Sequence, residues 1–498
     1  NVHSFVGFLR VKRREYVLSN LQEGVDYFSR QETWSDTIIR VIQGCFSYRK
    51  NHMLKNGLRW CDDDYQDYAR EMAISAFNME WLPAGRGLWA AGSEYSYQNG
   101  SACVTNCAAT HSSDLAFAMT WTADMLMCGC GVGVRDDFAG DVVRPDKSKF
   151  ETIVIPDNRE GWAYSIGVLI SAYVPKDGKI FTFPRFDYSK IRPEGKPLKG
   201  FGGISSGAGP LIKLHKRMEA CFDMFISYHE ATSRKAQLEA IAKMVITLRQ
   251  EDYPSLDDFS FELLLRHIRG ESVIKSVSDY NILMERLHGP NDAGVLDETT
   301  VNKMKNHNYL RDFVDYAACN GESNSLDVFI DCFAKHSHRM WKLSESRIVD
   351  RTYLVANITN MIGACIIAGN IRRSSEILQF GVDNATGFNL KDPLIYPERA
   401  PYSWASNNSC IFEKTEDFDS IPEITKRVGI NGEPGFINLL NIQNMGRVGR
   451  RAPRPEEVTR EHEKDNATQT NPCGEIPLGD KEICLLVEVI LLRCMRGG

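Results

Sequence analysis

Asn471, Pro472, Cys473, Gly474 and Glu475 occupy five consecutive positions, and together they offer an uncommon chemistry. Cys473 and Glu475 are two residues apart, so they share a face if the segment is extended and converge on one small ligand if it bends. Pro472 limits the bend, and Gly474 relieves crowding within it. A sulfur can carry a radical while a neighbouring carboxylate takes a hydroxyl proton. The Asn471 amide can hold that hydroxyl, or a carbonyl intermediate derived from it. A tight turn enclosing a buried cysteine accounts for the same five residues, and nothing within them separates the two readings.

Cys484 lies eleven residues downstream of Cys473, and Cys107 far upstream. Brought together, these two would form a dithiol that gives up two electrons and closes to a disulfide, provided separation and orientation allow it. Spacing alone does not pair them. Cys103, four residues before Cys107, competes for the role, and ICLLV around Cys484 also reads as a core strand.

Other residues carry weaker signals. Cys128 and Cys130 flank a glycine, but two thiols do not complete a zinc shell and no His/Cys partner pattern follows, so no metal ligands are assigned. CGCGVGVRDD reads as a glycine-rich bend; Gly131 and Gly133 lack the spacing of a dinucleotide fingerprint but can lie close to a substrate. In GFGGISSGAGP, residues 200–210, Gly200, Gly202, Gly203, Gly207 and Gly209 remove side-chain bulk. With Ser205 this loop can admit a nucleotide or an effector, or it can simply connect two elements. Asn407, Asn408 and Ser409 offer hydrogen bonds to a base or ribose, or form an Asn turn. Arg372 and Arg373, beside Asn370, suit phosphate or internal carboxylates equally. His111 fits a structural role better than tuning of Cys107.

The elements that must position these residues alternate in type. DDDYQDYAREMAIS has helical spacing with a negative first turn, and Pro83 with its glycines ends that helix. SACVTNCAATH reads as a short buried strand and DLAFAMTWTADMLM as a helix capped by Asp114. EGWAYSIGVLISAYV reads as a helix and KIFTFPRFDYS as a strand. Helix-length segments fill 211–350, among them KRMEACFDMFISYHEATSRKAQLEAIAKMVITL. Beyond 351, ACIIAGNIRRSSEI, WASNNSCIF, GFINLLNIQNMGR and NPCGEIPLGDKEICLLVEV read as short β-rich or apolar runs between Gly/Asn bends. An α/β body follows from this pattern.

Composition narrows the function classes. The 498 residues are 43% hydrophobic, with 59 Lys plus Arg against 65 Asp plus Glu, so no broad basic footprint points to direct nucleic-acid binding. Fourteen cysteines are too sparse for a small disulfide scaffold, and no secretory leader or long apolar span is evident. A reducing cytoplasmic setting without a membrane partner is expected. The apolar run Cys484 to Met495 is interrupted by Glu488 and Arg493.

Taken together, GRGLWAAGSEY, TNCA, KGFGGISSGAGPL, AGNIRRSSEI, WASNNS, NGEPGFINLLNIQNMGR and TNPCGEIPL followed by EIC give the chain its family likeness. Over nearly its whole length it resembles the monomeric, adenosylcobalamin-dependent (class II) ribonucleotide reductases of the ribonucleoside-triphosphate type. The resemblance implies that Cys473 becomes a transient thiyl radical taking the substrate's 3'-hydrogen. Glu475 would accept the 3'-hydroxyl proton and Asn471 would orient the ribose. Cys107 and Cys484 would reduce the substrate as its 2'-hydroxyl leaves as water. It also implies adenosylcobalamin as cofactor, a ribonucleoside triphosphate as substrate, a deoxynucleotide effector and a thioredoxin-like reductant. A diphosphate-reducing neighbour, or an inactive or split-enzyme fragment that keeps nucleotide or protein binding, are the alternatives.

The implied fold is part of a ten-stranded α/β barrel, with the thiyl cysteine on a loop at its centre. A mainly helical region would cover 1–95, the start of the barrel with its substrate or effector loops 96–210, a largely helical barrel region 211–350, and strands with the Cys473 loop 351–498, with a helical effector region inserted. Members of the family continue past the point matching Gly498 into the principal cobalamin-binding region and a C-terminal cysteine pair. The expectation is therefore an incomplete second half-barrel needing a complementing C-terminal fragment, self-association or a chaperone. Leu485 stands where the family commonly has asparagine after the downstream redox cysteine.

Overall fold

The computed structural model describes residues 32–197, 204–256, 258–271, 346–368, 375–392, 395–445 and 465–494. The chain opens with α1 (Trp34–Lys55) and α2 (Asp62–Phe77). Thr33 and Asp36 form a capping box at the start of α1, satisfying amide groups that have no partner within the helix. Asp62, Asp63 and Asp64 give α2 the negative first turn expected of its sequence. The two helices close over Ile38, Val41, Ile42 and Ala76. After β1 (Trp81–Pro83) and the short α3 (Gly85–Ala90), the chain enters the central sheet.

That sheet begins with a strand–helix–strand unit: β2 (Cys107–His111), α4 (Leu115–Met127) and β3 (Gly131–Arg135). Asp114 caps α4 by accepting the Phe117 N–H at 3.2 Å. A second such unit, β4 (Phe150–Val154), α5 (Arg159–Tyr173) and β5 (Phe183–Asp187), forms a separate parallel pair. Helices α6 (Gly209–Glu230) and α7 (Arg234–Thr247) follow, broken where the Ser233 hydroxyl accepts the Ala236 N–H. Then come α8 (Asp258–Ile268), α9 (Arg351–Ile367), β6 (Glu376–Gly381), β7 (Ser406–Phe412), α10 (Ile421–Asn431), β8 (Gly435–Asn438) and α11 (Leu439–Met445). The last described stretch holds β9 (Gln469–Thr470), β10 (Pro477–Leu478), β11 (Ile483–Cys484) and β12 (Val487–Val489).

The strand order is β11-β2-β3-β6-β7-β8. All neighbours are parallel except β11, which runs antiparallel to β2. Strands β3 and β6 are direct neighbours although residues 136–375 separate them in sequence. One face of the sheet is covered by helices. Val132, Val134, Leu378, Phe380, Cys410 and Phe412 point into a single core with residues of α4, α5, α6 and α9. Each large side chain buried there contributes about 1.5–3 kcal/mol before entropy is counted. Alternation puts Gly131, Gly133, Ile377, Gln379, Asn407 and Ser409 on the other face.

Among the described residues the main sheet is six-stranded and open at both edges, an α/β arrangement that does not itself confirm the expected part of a ten-stranded barrel. Two expectations need correction. The supposed bend CGCGVGVRDD is a turn only through Cys130, with Gly129 at φ +75°; from Gly131 onward it is strand β3, because a neighbouring strand on each side completes its ladder. ACII is no strand but the end of α9, whose nearly complete burial gives it the all-apolar look of a core strand.

Candidate active site

The Cys473 loop is built on the uncovered face of the sheet. Strand β9 lies across β3, and a Cβ added to Gly133 would come within 2.1 Å of the Thr470 carbonyl oxygen. One added to Gly131 would meet Pro472 at 3.0 Å. The bareness of these two glycines is what admits the loop. They are strand residues beneath it, not a loop of their own. Gln379 of β6 then clamps the incoming backbone: its Nε2 donates to the Thr470 carbonyl at 2.8 Å and its Oε1 accepts the Thr470 N–H at 3.0 Å.

Beyond the clamp the chain turns. Gly474 N–H donates to the Asn471 carbonyl at 3.0 Å, and Gly474 takes φ +82°, a conformation that favours glycine. Asn471 is fully buried. Its Nδ2 donates to Glu475 Oε1 at 2.9 Å, and its Oδ1 accepts the Ile476 N–H at 3.0 Å. The amide is thus engaged with the carboxylate and the backbone. Cys473 itself is exposed at the tip. Burial, then the nearby Glu475 carboxylate and Cys107, push its thiol up from the ordinary value, so it stands as S–H at neutral pH.

The antiparallel pairing of β11 with β2 sets Cys484 directly opposite Cys107. Both are buried, and their thiols are within hydrogen-bond reach of each other. Burial and the facing Cys107 push the Cys484 thiol up. The Cys484 thiol therefore stands protonated at neutral pH. The register is pinned from both sides, since Asn106 N–H donates to the Cys484 carbonyl at 3.0 Å and Asn106 Oδ1 accepts the Leu486 N–H at 3.1 Å. Leu485 is exposed, and the amide that steadies this strand comes from Asn106. Cys103 is not the partner: it contacts Cys128 instead.

A cleft of about 550 Å³ opens at the loop tip, lined by Cys473, Gly474, Asn407, Asn408, Ser409 and Glu433 among others. The structure thus brings Asn407 and Asn408 to the side of Cys473. Lys391 holds the cleft's edge, donating to Glu433 Oε1 at 2.7 Å and to the Ser406 carbonyl. Ser205 is placed elsewhere, where its hydroxyl accepts the Gly207 N–H at 3.0 Å. Gly200, Gly202, Gly203, Asn370, Arg372 and Arg373 lie outside the described residues. His111 braces the loop stem, with Nδ1 2.7 Å from Asp137 Oδ2 and Nε2 2.7 Å from Thr468 Oγ1.

Gln379 and Asn106 were missed in the sequence. A lone amide within the apolar run EILQF was the available signal for Gln379. None marked Asn106, whose role depends on the strand register.

An open, largely parallel α/β sheet carries a cysteine loop on one face and a pair of facing cysteines at its edge strand, residue types capable of thiol-redox chemistry. Residues 21–93 match the ribonucleotide reductase alpha domain, and residues 130–221 the insertion domain of B12-dependent ribonucleotide reductase. The chain is 28% identical over 468 residues to an adenosylcobalamin-dependent ribonucleoside-triphosphate reductase of Euglena gracilis, covering 92% of this chain and 46% of that one. A probable enzyme of the same description from Dictyostelium discoideum is 26% identical, covering 96% of this chain and 48% of its own length. One from Lactobacillus gasseri is 24% identical, covering 95% and 54%. The crystal structure of a B12-dependent (class II) ribonucleotide reductase superposes with a TM-score of 0.51 at 18% identity, covering 99% of this chain and 58% of that one, and shows a related fold. By these matches the chain is similar to the class II, adenosylcobalamin-dependent ribonucleoside-triphosphate reductases. It spans about half the length of the curated relatives it matches.

Proposed function

We propose that this chain carries the radical and dithiol site of a ribonucleoside-triphosphate reductase. The observation that supports it most is the facing of Cys107 and Cys484 across β2 and β11 beside a loop that presents Cys473 to a cleft and holds Glu475 through Asn471.

In this reading the protonated Cys473 thiol gives up a hydrogen atom, and the resulting thiyl radical takes the 3'-hydrogen of a bound ribonucleotide. Glu475, held by the Asn471 amide, accepts the 3'-hydroxyl proton. Asn471 acts through the carboxylate it positions, and Asn407, on the loop face of β7, supplies an amide to the nucleotide. The 2'-hydroxyl departs as water and C2' gains a hydrogen when Cys107 and Cys484 deliver two electrons and two protons, closing to a disulfide; Glu475 returns its proton and Cys473 its hydrogen to the 3' position. A thioredoxin-like dithiol would then reopen it, and a deoxynucleotide effector would act elsewhere on the chain.

Adenosylcobalamin, when bound, would supply the homolytic step that starts the radical. What fits it here is Cys473, an exposed thiol that holds its hydrogen at neutral pH. The described residues do not identify a corrinoid-binding surface.

The test is to incubate the chain with adenosylcobalamin, dithiothreitol and either ribonucleoside triphosphates or diphosphates, with and without the C-terminal portion of a relative. Deoxynucleotide formed from triphosphates supports the reading, and dependence on the added portion would make this a split enzyme. Product from diphosphates alone would move the substrate assignment. No product in any arm, with nucleotide binding retained, would make the chain a binding fragment.

A further inference from the structure

Two buried cysteines take no part in the site above. Cys103 ends the short 3-10 turn Ser101–Cys103 that leads into β2, and Cys128 is the C-terminal cap of α4, just ahead of β3. Because β2 and β3 are parallel neighbours, their two entry turns lie side by side. Both side chains are completely buried in one cluster with Tyr95, against Trp89 and Ala102, and their sulfurs are in hydrogen-bond contact. Arg159, the first residue of α5, donates from Nη1 to Cys128 Sγ. Its other nitrogens pair with Asp124 at 3.0 Å and Glu160 at 2.8 Å. A guanidinium is thus fixed on one sulfur of the pair, the arrangement that stabilises a thiolate as it forms.

We propose that Cys103 and Cys128 are a second redox-active dithiol, which closes reversibly to a disulfide on exposure to a hydroperoxide. The Cys128 thiolate attacks a peroxide oxygen and the O–O bond breaks. The departing hydroxide takes a proton and leaves as water, so Cys128 becomes a sulfenic acid. Cys103 then attacks that sulfur; the S–S bond forms, the S–O bond breaks, and a second water leaves with the Cys103 proton. Two thiols and one hydrogen peroxide become one disulfide and two waters. The hydrogen bond with Cys103 and burial push the Cys128 thiol up, against the pull of Arg159. Closure therefore accelerates as pH rises. Once formed, the bond ties the turn before β2 to the turn before β3, and so fixes the spacing of the register partners Cys107 and Gly131.

No lysine or arginine separates Cys103 from Cys130, so trypsin leaves these cysteines in one peptide, whereas chymotrypsin can cut between them at Phe117 and Trp121. The chain carrying Cys107→Ser and Cys130→Ser is treated with hydrogen peroxide, denatured, blocked with N-ethylmaleimide, digested and weighed by mass spectrometry. The Cys103 and Cys128 fragments are expected to appear joined, two hydrogens lighter than their sum, and to separate in dithiothreitol. In the unsubstituted chain, fragment-ion sequencing should place the same linkage between 103 and 128. That arm keeps the test open if the double variant does not fold. Arg159→Gln should slow closure several-fold. Recovery of both cysteines as maleimide adducts from peroxide-treated folded chain would overturn the proposal, as would linkages to other cysteines in their place. An unchanged rate in Arg159→Gln would overturn the part given to the guanidinium.

Discussion

Cys107 and Cys484 are cross-strand partners in the antiparallel pairing of β2 with β11, with thiols close enough to hydrogen-bond. In the proposed function each sulfur would be the resolving thiol of the other, at an effective concentration no dissolved thiol matches. Replacing either by serine should lower multiple-turnover deoxynucleotide formation about a hundredfold or more with a protein dithiol as reductant, measured as product per minute. Near-normal turnover in Cys484→Ser would remove it from the redox pair.

The crossing of the Cys473 loop over β3 depends on a missing side chain. Gly133→Ala would drive a methyl group into the Thr470 carbonyl, 2.1 Å from the ideal Cβ position. A loss of about 1–3 kcal/mol in urea unfolding is expected from such overpacking, with turnover falling further than stability because the displaced segment carries Cys473. Gly131→Ala, facing Pro472 at 3.0 Å, should be milder. Equal stability of Gly133→Ala and the unsubstituted chain would contradict the threading.

Gln379 makes two hydrogen bonds to the Thr470 backbone, and Thr470 is fully buried. Gln379→Leu leaves a buried N–H and C=O without these partners, and a cost of about 2 kcal/mol or more is expected. The loop should also become easier to cleave, which limited proteolysis followed by mass spectrometry would detect near residues 471–475. Unaltered stability and cleavage would show that the clamp is dispensable.

The Cys473 thiol is pushed up by burial and then by Glu475 and Cys107. Glu475→Gln removes one negative neighbour, so the thiol should titrate at lower pH and react faster with iodoacetamide near neutrality. The pH profile of Cys473 alkylation, followed by mass spectrometry, reads this directly. A profile that does not move would separate the carboxylate from the sulfur.

Asp136, directly after β3, is a carboxyl pushed up to about 6, chiefly by burial, with Asp350 and Asp137 adding to the push against hydrogen bonds from Thr352 and Asn384. The folded chain binds this proton more tightly than the unfolded chain does. The contribution of Asp136 to stability is therefore greatest in acid, declines as pH rises from about 4 to about 6, and is lost above that. Asp136→Asn should remove that decline, a gain of about 3 kcal/mol at pH 7 relative to its effect in acid. Urea midpoints of the two chains across this range give the difference, and parallel curves would contradict it.

Elements with local signatures were legible in the sequence. Asp114 before an apolar-periodic run marked α4, the acidic triplet marked the start of α2, and Pro472 with Gly474 marked the turn that exposes Cys473. Features set by distant partners were not. Gly131 and Gly133 looked like a bend because a strand stripped of side chains on one face has no alternation to display; the loop fills that face. ACII looked like a strand because α9 is apolar almost all round, which erases helical periodicity. The choice of Cys107 over Cys103 as the residue facing Cys484 rests on where β2 begins and how it pairs with β11, a register that no local pattern encodes.

The central claim is that one site couples Cys473 to the Cys107–Cys484 dithiol. A single turnover of pre-reduced chain tests it, with adenosylcobalamin and a ribonucleoside triphosphate, no external reductant, and the C-terminal portion of a relative if turnover requires it. Mass spectrometry of the quenched protein should find one Cys107–Cys484 disulfide for each deoxynucleotide formed, and neither product from Cys473→Ser. Deoxynucleotide formed while both thiols stay free, or an undiminished yield from Cys473→Ser, would contradict the account.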